Sequence, residues 1–178
     1  LEELDGTFSI VIWDGIRKKL YLARDIFGGK PLFYAKCREG IAFASELKTL
    51  LARDKIAKDI HYEALYQYMS HGSVYTPDTV FKGVKHVKPG FYAIYGNAAI
   101  EEVEYSSISF ENVTYDSYDK AVSNIEKILK DSVDKNVCED KVGIFLSGGL
   151  DSSLLAAIAR KDTIKEAYCL RPVTAKET

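Results

Sequence analysis

The sequence predicts an α+β region built on an antiparallel sheet, followed by the opening of an α/β region built on a parallel sheet. Three observations predict it. Residues 6–44 hold four short β-branched and aromatic runs separated by tight turns, the spacing of hairpins rather than of crossover units. Residues 106–117 turn to Ser, Asn, Asp and Tyr and lose apolar periodicity, which reads as a linker. Beyond it come an amphipathic helix, an apolar strand, a glycine turn, a helix and another apolar strand, the order of a parallel unit.

GTFSIVIWD (6–14) and KLYLARD (19–25) flank the turn Gly15–Lys18 and form a hairpin. Gly28, Gly29 and Pro31 break the pattern; PLFYAK and IAFA supply a third and a fourth strand around Glu39-Gly40. Ser45 is placed to cap a helix carrying Leu47, Leu50 and Leu51. A second helix is predicted over Tyr62–Met69, with Leu65, Tyr66 and Met69 on one face. FYAIY and an edge-like segment from Ile100 to Tyr105 complete the first region, 1–105. In the second region, 118–178, Ala121, Val122, Ile125, Ile128 and Leu129 form a helical stripe. VGIFL and AYCL read as buried strands, with SGGLDSS and a helix over Leu154–Arg160 between them.

Composition narrows the function classes. The 178 residues are 47% hydrophobic, enough to bury a core. The net charge of −2 lacks the broad positive field that holds nucleic acid or an anionic membrane. No apolar run reaches membrane-span length and no signal peptide opens the chain, so a cytoplasmic protein is expected. Cys37, Cys138 and Cys169 are scattered, without zinc-ligand spacing, and are expected to be reduced thiols, mostly in the core. A start at Leu-Glu-Glu-Leu, a single methionine at Met69 and a strand-like end suggest an excised piece.

The chemistry concentrates in Ser147, Gly148, Gly149, Leu150, Asp151, Ser152 and Ser153. Between a strand and a helix, they set unpaired N–H groups and the positive helix end at one place, which suits an anion. Paired glycines let phosphate oxygens approach the main chain, and three serine hydroxyls add neutral donors. The alternative is a tight turn in which Asp151 or Ser152 merely caps the helix. No Lys follows the glycines as in a Walker loop, and no G-x-G-x-x-G is present. A serine nucleophile elbow requires Gly where Phe145 stands, which makes a Ser147 hydrolase a poor second.

GIFLSGGLDSS resembles the pyrophosphate loop of the ATP pyrophosphatase superfamily. With GTFSIVIWD, YLARDIFGGKPLFY and FASELKTLL ahead of it, the chain resembles the glutamine-dependent asparagine synthetase family over most of residues 1–170. The resemblance implies the latter part of an N-terminal-nucleophile glutaminase sandwich over 1–105 and the start of a Rossmann-like ATP-pyrophosphatase domain over 118–178. It implies a ligase that turns aspartate into asparagine through a β-aspartyl adenylate, using ammonia from glutamine and releasing AMP and pyrophosphate. Glutamine, aspartate and ATP are the implied substrates, with ATP and Mg2+ as the cofactor set, and a homodimer is admitted. By position, Ser147, Gly148, Gly149, Leu150, Asp151, Ser152 and Ser153 match the phosphate loop. The resemblance further implies that Asp151 approaches the magnesium pyrophosphate, that Leu146 matches a nucleotide-contacting position and that Leu170 packs against adenine. The family's N-terminal nucleophilic cysteine has no counterpart in this chain, so the catalytic set is empty and the isolated chain is expected to be inactive. Two alternatives stay open: a related amidotransferase acting on another carboxylate, and a noncatalytic nucleotide-binding remnant.

Other groups draw blander expectations. Arg24 and Asp25 next to Gly28, Gly29 and Lys30 could form a second anion site, but a turn with a surface ion pair is expected. Tyr62, Tyr66 and Tyr68 are expected in packing. His61, His71 and His86 are expected at the surface or in loops.

Overall fold

In the computed structural model, which describes residues 1–53, 55–110, 117–137, 142–159 and 164–169, the first alternating runs form the predicted hairpin. β1 (Ser9–Asp14) pairs antiparallel with β2 (Lys19–Arg24), Asp14 opposite Lys19. The Asp14 carboxylate closes the turn by accepting the N–H groups of Ile16 and Arg17, both at 2.9 Å. β3 (Phe33–Cys37), β4 (Gly40–Ala44), β5 (Val84–His86), β6 (Phe91–Gly96) and β7 (Ala99–Glu104) follow. They make one sheet in the order β1-β2-β6-β7 and another in the order β4-β3-β5, all antiparallel. The chain divides into two compact units, Leu1–Phe110 and Glu111–Thr178.

Period-two alternation explains the layers of the first unit. Leu20, Leu22 and Ala93 from one sheet meet Tyr34 from the other, with Leu32 and Val87, in a buried cluster. On the opposite face of the second sheet, Phe33, Ala35, Ala42 and Val84 pack against Leu50 of α1 (Leu47–Leu51) and against Ile56. The first half of β3 is therefore buried on both faces, which is why residues 32–35 read as an apolar run before the exposed Lys36. The outer face of the first sheet carries an open groove of about 710 Å³ whose lining includes Ile10, Tyr21, Tyr92 and Tyr105.

Several local expectations are corrected. α1 is capped by Glu46, not Ser45, and without a side-chain cap bond. α2 (Tyr62–His71) runs two residues beyond the expected end and stops at Gly72, whose φ of +74° is a left-handed terminus. It buries Ala64, while Tyr62, Tyr66 and Tyr68 are exposed and Met69 is 77% exposed, so the tyrosines are not core packing. Cys37 is half-buried and packs against the core cluster of Phe33 and Leu50, as expected, whereas Cys169 is exposed; Cys138 falls outside the described residues. His86 lies in β5, its ring 3.9 Å from that of Phe33.

The largest correction concerns Arg24 and Asp25, only 8% and 1% exposed. They are not a surface ion pair. Asp25 accepts the N–H groups of Phe8, Phe27, Gly29 and Lys30 at 3.0–3.3 Å. The Arg24 guanidinium donates to the carbonyls of Gly28 (2.5 Å), Lys30 (2.9 Å) and Val87 (3.1 Å) and meets His86 Nδ1 at 3.5 Å. Gly28 has a φ of +64°, and a Cβ there would stand 2.8 Å from the guanidinium, so only glycine fits. Burial pushes the Asp25 carboxyl up, but the four N–H donors outweigh it and hold it below the usual range.

In the second unit, α3 (Tyr118–Asn136) is capped by Ser117, whose Oγ accepts the Lys120 N–H at 3.3 Å. The apolar stripe exists, but among the described residues it is only partly covered, Leu129 being half-buried and Ile128 66% exposed. β8 (Val142–Phe145) and β9 (Ile164–Tyr168) pair in parallel, with α4 (Leu150–Ile158) between them in the chain. No helix among the described residues is long and apolar enough to cross a membrane.

Three outcomes follow from this geometry. The β6–β7 turn places Asn97 and Ala98 at φ of +52° and +61°, where alanine is strained and glycine is not. Ala98→Gly is expected to raise unfolding free energy by about 1 kcal/mol, read by urea titration. Asp25→Asn replaces an oxygen that only accepts by an amide facing N–H donors, and is expected to cost about 2–4 kcal/mol in the same assay. Burial and the Arg24 charge pull His86 down to about 4, below its unfolded value of about 6.5. The unfolded chain then binds the extra proton, so stability is full above about pH 6.5 and is lost as pH falls toward 4. His86→Gln is expected to flatten that part of the stability-against-pH curve.

Candidate functional site

The phosphate-loop candidates lie where β8 ends and α4 begins. Parallel pairing with β9 sets Phe145 opposite Tyr168, and the ladder is extended by the Leu146 N–H donating to the Tyr168 carbonyl at 2.7 Å. Gly143 permits this pairing, since a Cβ there would stand 2.9 Å from the Tyr168 ring. The chain then leaves the strand at Ser147 and turns through Gly148, whose φ is +80°. Gly149 is the N-cap of α4, in an extended conformation and without a side-chain cap bond. Neither Asp151 nor Ser152 caps the helix, which removes the simple capping account of the motif.

Within this bend the hydroxyls face one another. Ser147 Oγ and Ser152 Oγ are 3.0 Å apart; the Ser147 N–H donates to Ser152 Oγ and the Gly149 N–H to Ser147 Oγ, both at 3.3 Å. Ser152 Oγ and Ser153 Oγ donate to the Gly149 carbonyl at 3.2 and 2.8 Å. All three hydroxyls are thus engaged inside the loop. The N–H groups of Leu150, Asp151 and Ser152 head the helix, where no earlier turn supplies carbonyls. A Cβ on Gly148 would meet no protein atom within 4 Å, so the space in front of the bend is open.

Ser147, Gly148, Gly149, Leu150, Asp151, Ser152 and Ser153 are brought together, with Leu146 half-buried at the strand end. Leu170 lies outside the described residues. The helix begins at Leu150, four residues before the sequence places it, so Asp151 sits in its first turn. Phe145 is 77% exposed, so β8 is not the fully buried strand expected. Asp151 is exposed, and no cluster of three His, Cys, Asp or Glu side chains is present among the described residues. That donor set does not make a protein-only metal cage. It does fit Mg2+, which binds through one or two carboxylates together with substrate phosphates. The contact from Ser152 back to Ser147, five residues earlier, was not foreseen; serine at both ends of a Gly-Gly turn is the signal that carries it.

Comparison with known proteins gives this geometry a family. The chain is 35% identical over 168 residues to asparagine synthetase (glutamine-hydrolysing) 3 of Bacillus subtilis, covering 93% of this chain and 27% of that protein. Asparagine synthetase (glutamine-hydrolysing) 1 of the same organism is 39% identical over 162 residues, with 89% and 25% covered. Its asparagine synthetase (glutamine-hydrolysing) 2 is 30% identical over 172 residues, with 89% and 23% covered. The chain therefore spans about a quarter of the length of the curated relatives it matches. The antiparallel sheets of the first unit are consistent with a glutaminase-type domain, and the Ser147–Ser153 bend lies inside the second matched region. The chain belongs to the glutamine amidotransferase domain family, whose model matches residues 1–106, and continues into asparagine synthase sequence, whose family model matches residues 124–172.

Proposed function

We propose that this chain is part of a cytoplasmic, glutamine-hydrolysing asparagine synthetase and supplies the seat for the ATP phosphates. One observation carries the reading: an open array of main-chain N–H groups at the head of α4, at the C-terminal end of a parallel strand, where such folds hold ligands. Residues 1–105 are the latter part of the glutaminase-like domain, 106–117 the linker and 118–178 the start of a Rossmann-like ATP-binding domain. The relatives' names and the two family matches support this division of labour.

In the reaction, a β-carboxylate oxygen of aspartate attacks the α-phosphorus of ATP and pyrophosphate leaves with the electron pair of the broken bond. Ammonia then attacks the acyl carbon of the adenylate, AMP departs and asparagine is formed. Gly148, Leu150, Asp151 and Ser152 offer N–H groups to the departing pyrophosphate, and the helix end adds its positive potential as charge builds there. Asp151 would hold Mg2+ jointly with phosphate oxygens; the ion supplies charge neutralisation. Leu146 would flank the nucleotide, and the adenine contact that the resemblance implies for Leu170 falls on a residue outside those described.

The test uses the full reading frame containing this chain, supplied with ATP, Mg2+, aspartate and either glutamine or ammonium. Asparagine, AMP and pyrophosphate are expected in equal amounts. Gly148→Val forces a β-branched residue into a left-handed bend and fills the anion's space, so ammonia-dependent synthesis should fall about 100-fold or more. Pyrophosphate release only with another carboxylic acid would identify a related amidotransferase. No turnover with any carboxylate would leave a nucleotide-binding remnant.

A further inference from the structure

The three serines of the bend are not equivalent, and one arrangement of their protons satisfies every contact among them. Each hydroxyl has a single proton. Ser152 Oγ gives its proton to the Gly149 carbonyl and accepts the Ser147 N–H. The Ser147 hydroxyl proton must then run to Ser152 Oγ, which leaves Ser147 Oγ a lone pair for the Gly149 N–H. The result is a closed ring that joins the end of β8 to the first turn of α4 across the glycines. Ser152 stands at its centre, with three contacts.

We propose that Ser152 is a positioning residue, a latch that holds the bend in its anion-ready shape through Ser147 and Gly149, while the phosphates are read by main-chain N–H groups. The inference rests on the phosphate reading of the site given above. The geometry favours a latch because the Ser152 proton is committed to a carbonyl of the loop itself, whereas the N–H groups of Leu150 and Asp151 face no acceptor from a preceding turn. Gly148, with its positive φ, has no side chain to hold it in place. Without the latch the bend is one conformer among several, and ligand affinity falls by the fraction of molecules that keep it.

The latch has a kinetic signature. Saturating ATP re-forms the bend, so losing the latch raises KM for ATP and spares kcat; a hydroxyl touching the phosphates in the transition state would lower kcat as well. The experiment compares wild type, Ser152→Ala and Ser152→Thr in the full-reading-frame protein. Amide hydrogen exchange across residues 146–150 is measured without nucleotide, and ATP kinetics are measured with ammonium as the nitrogen source. Ser152→Ala is expected to exchange faster at Ser147 and Gly149, with KM for ATP up about tenfold and kcat within twofold. Ser152→Thr, which keeps the hydroxyl, is expected to restore both. Unchanged exchange in Ser152→Ala, or a kcat loss without faster exchange, overturns the proposal. Should wild type bind no ATP, the function above falls, yet faster exchange in Ser152→Ala still upholds the latch and unchanged exchange still removes it.

Discussion

The first unit depends on a buried carboxylate that the main chain itself satisfies. Asp25 is almost fully enclosed, and an isolated charge in such a place costs far more than any one contact returns. Four N–H donors from residues 8, 27, 29 and 30 meet that cost. Hydrogen bonds to a charged group are worth roughly 1.5–3 kcal/mol each, so the set outweighs desolvation. The neighbouring Arg24 is satisfied in the same way by three carbonyls. Two adjacent opposite charges thus spend their hydrogen bonds on the main chain rather than on each other and organise the backbone around them.

The consequence reaches across both sheets. Arg24 and Asp25 end β2, yet their partners include the approach to β1, the loop before β3 and the segment after β5. The Gly90 N–H donates to the Asp25 carbonyl and the Tyr105 hydroxyl to the Arg24 carbonyl, which fastens the entrance to β6 and the exit from β7. Sheet packing through Leu22, Tyr34 and Val87 supplies the apolar driving force. The polar knot decides which loops may lie over that packing, because any other path leaves a buried donor or acceptor without a partner.

Strands and hairpins were legible because their signals are local: alternation, turn residues and β-branching sit within a few positions of the elements they define. The Ser147–Ser153 bend was legible for the same reason, as a contiguous phrase between two periodic runs. The Arg24–Asp25 knot was not. Its partners are backbone atoms up to 63 residues away, and main-chain groups leave no mark on a residue pattern, so neighbouring opposite charges looked like a surface pair. The stripe on α3 and the tyrosines of α2 mark the converse limit. Periodicity reveals which face is apolar, not how far anything covers it, and both faces stay largely exposed among the described residues. Ser45 was passed over as a cap because the first helical turn begins one residue later, a shift that capping preferences are too weak to resolve.

On the proposed function, the composition of the bend bears on how the charge of a triphosphate would be balanced there. SGGLDSS holds no cation and one carboxylate, whereas a Walker loop brings a lysine to the phosphates. The helix end contributes the equivalent of about half a positive charge, far short of what a triphosphate carries, and Asp151 works against it. Neutral N–H groups can orient and select the anion, but they cannot balance it. On that reading the missing positive charge would come from Mg2+, and Asp151 is the residue of the bend that would hold it. Because main-chain donors do not titrate, the protein's side of this contact stays constant across neutral pH. On this reading the bend governs shape, and charge balance would fall to the ion.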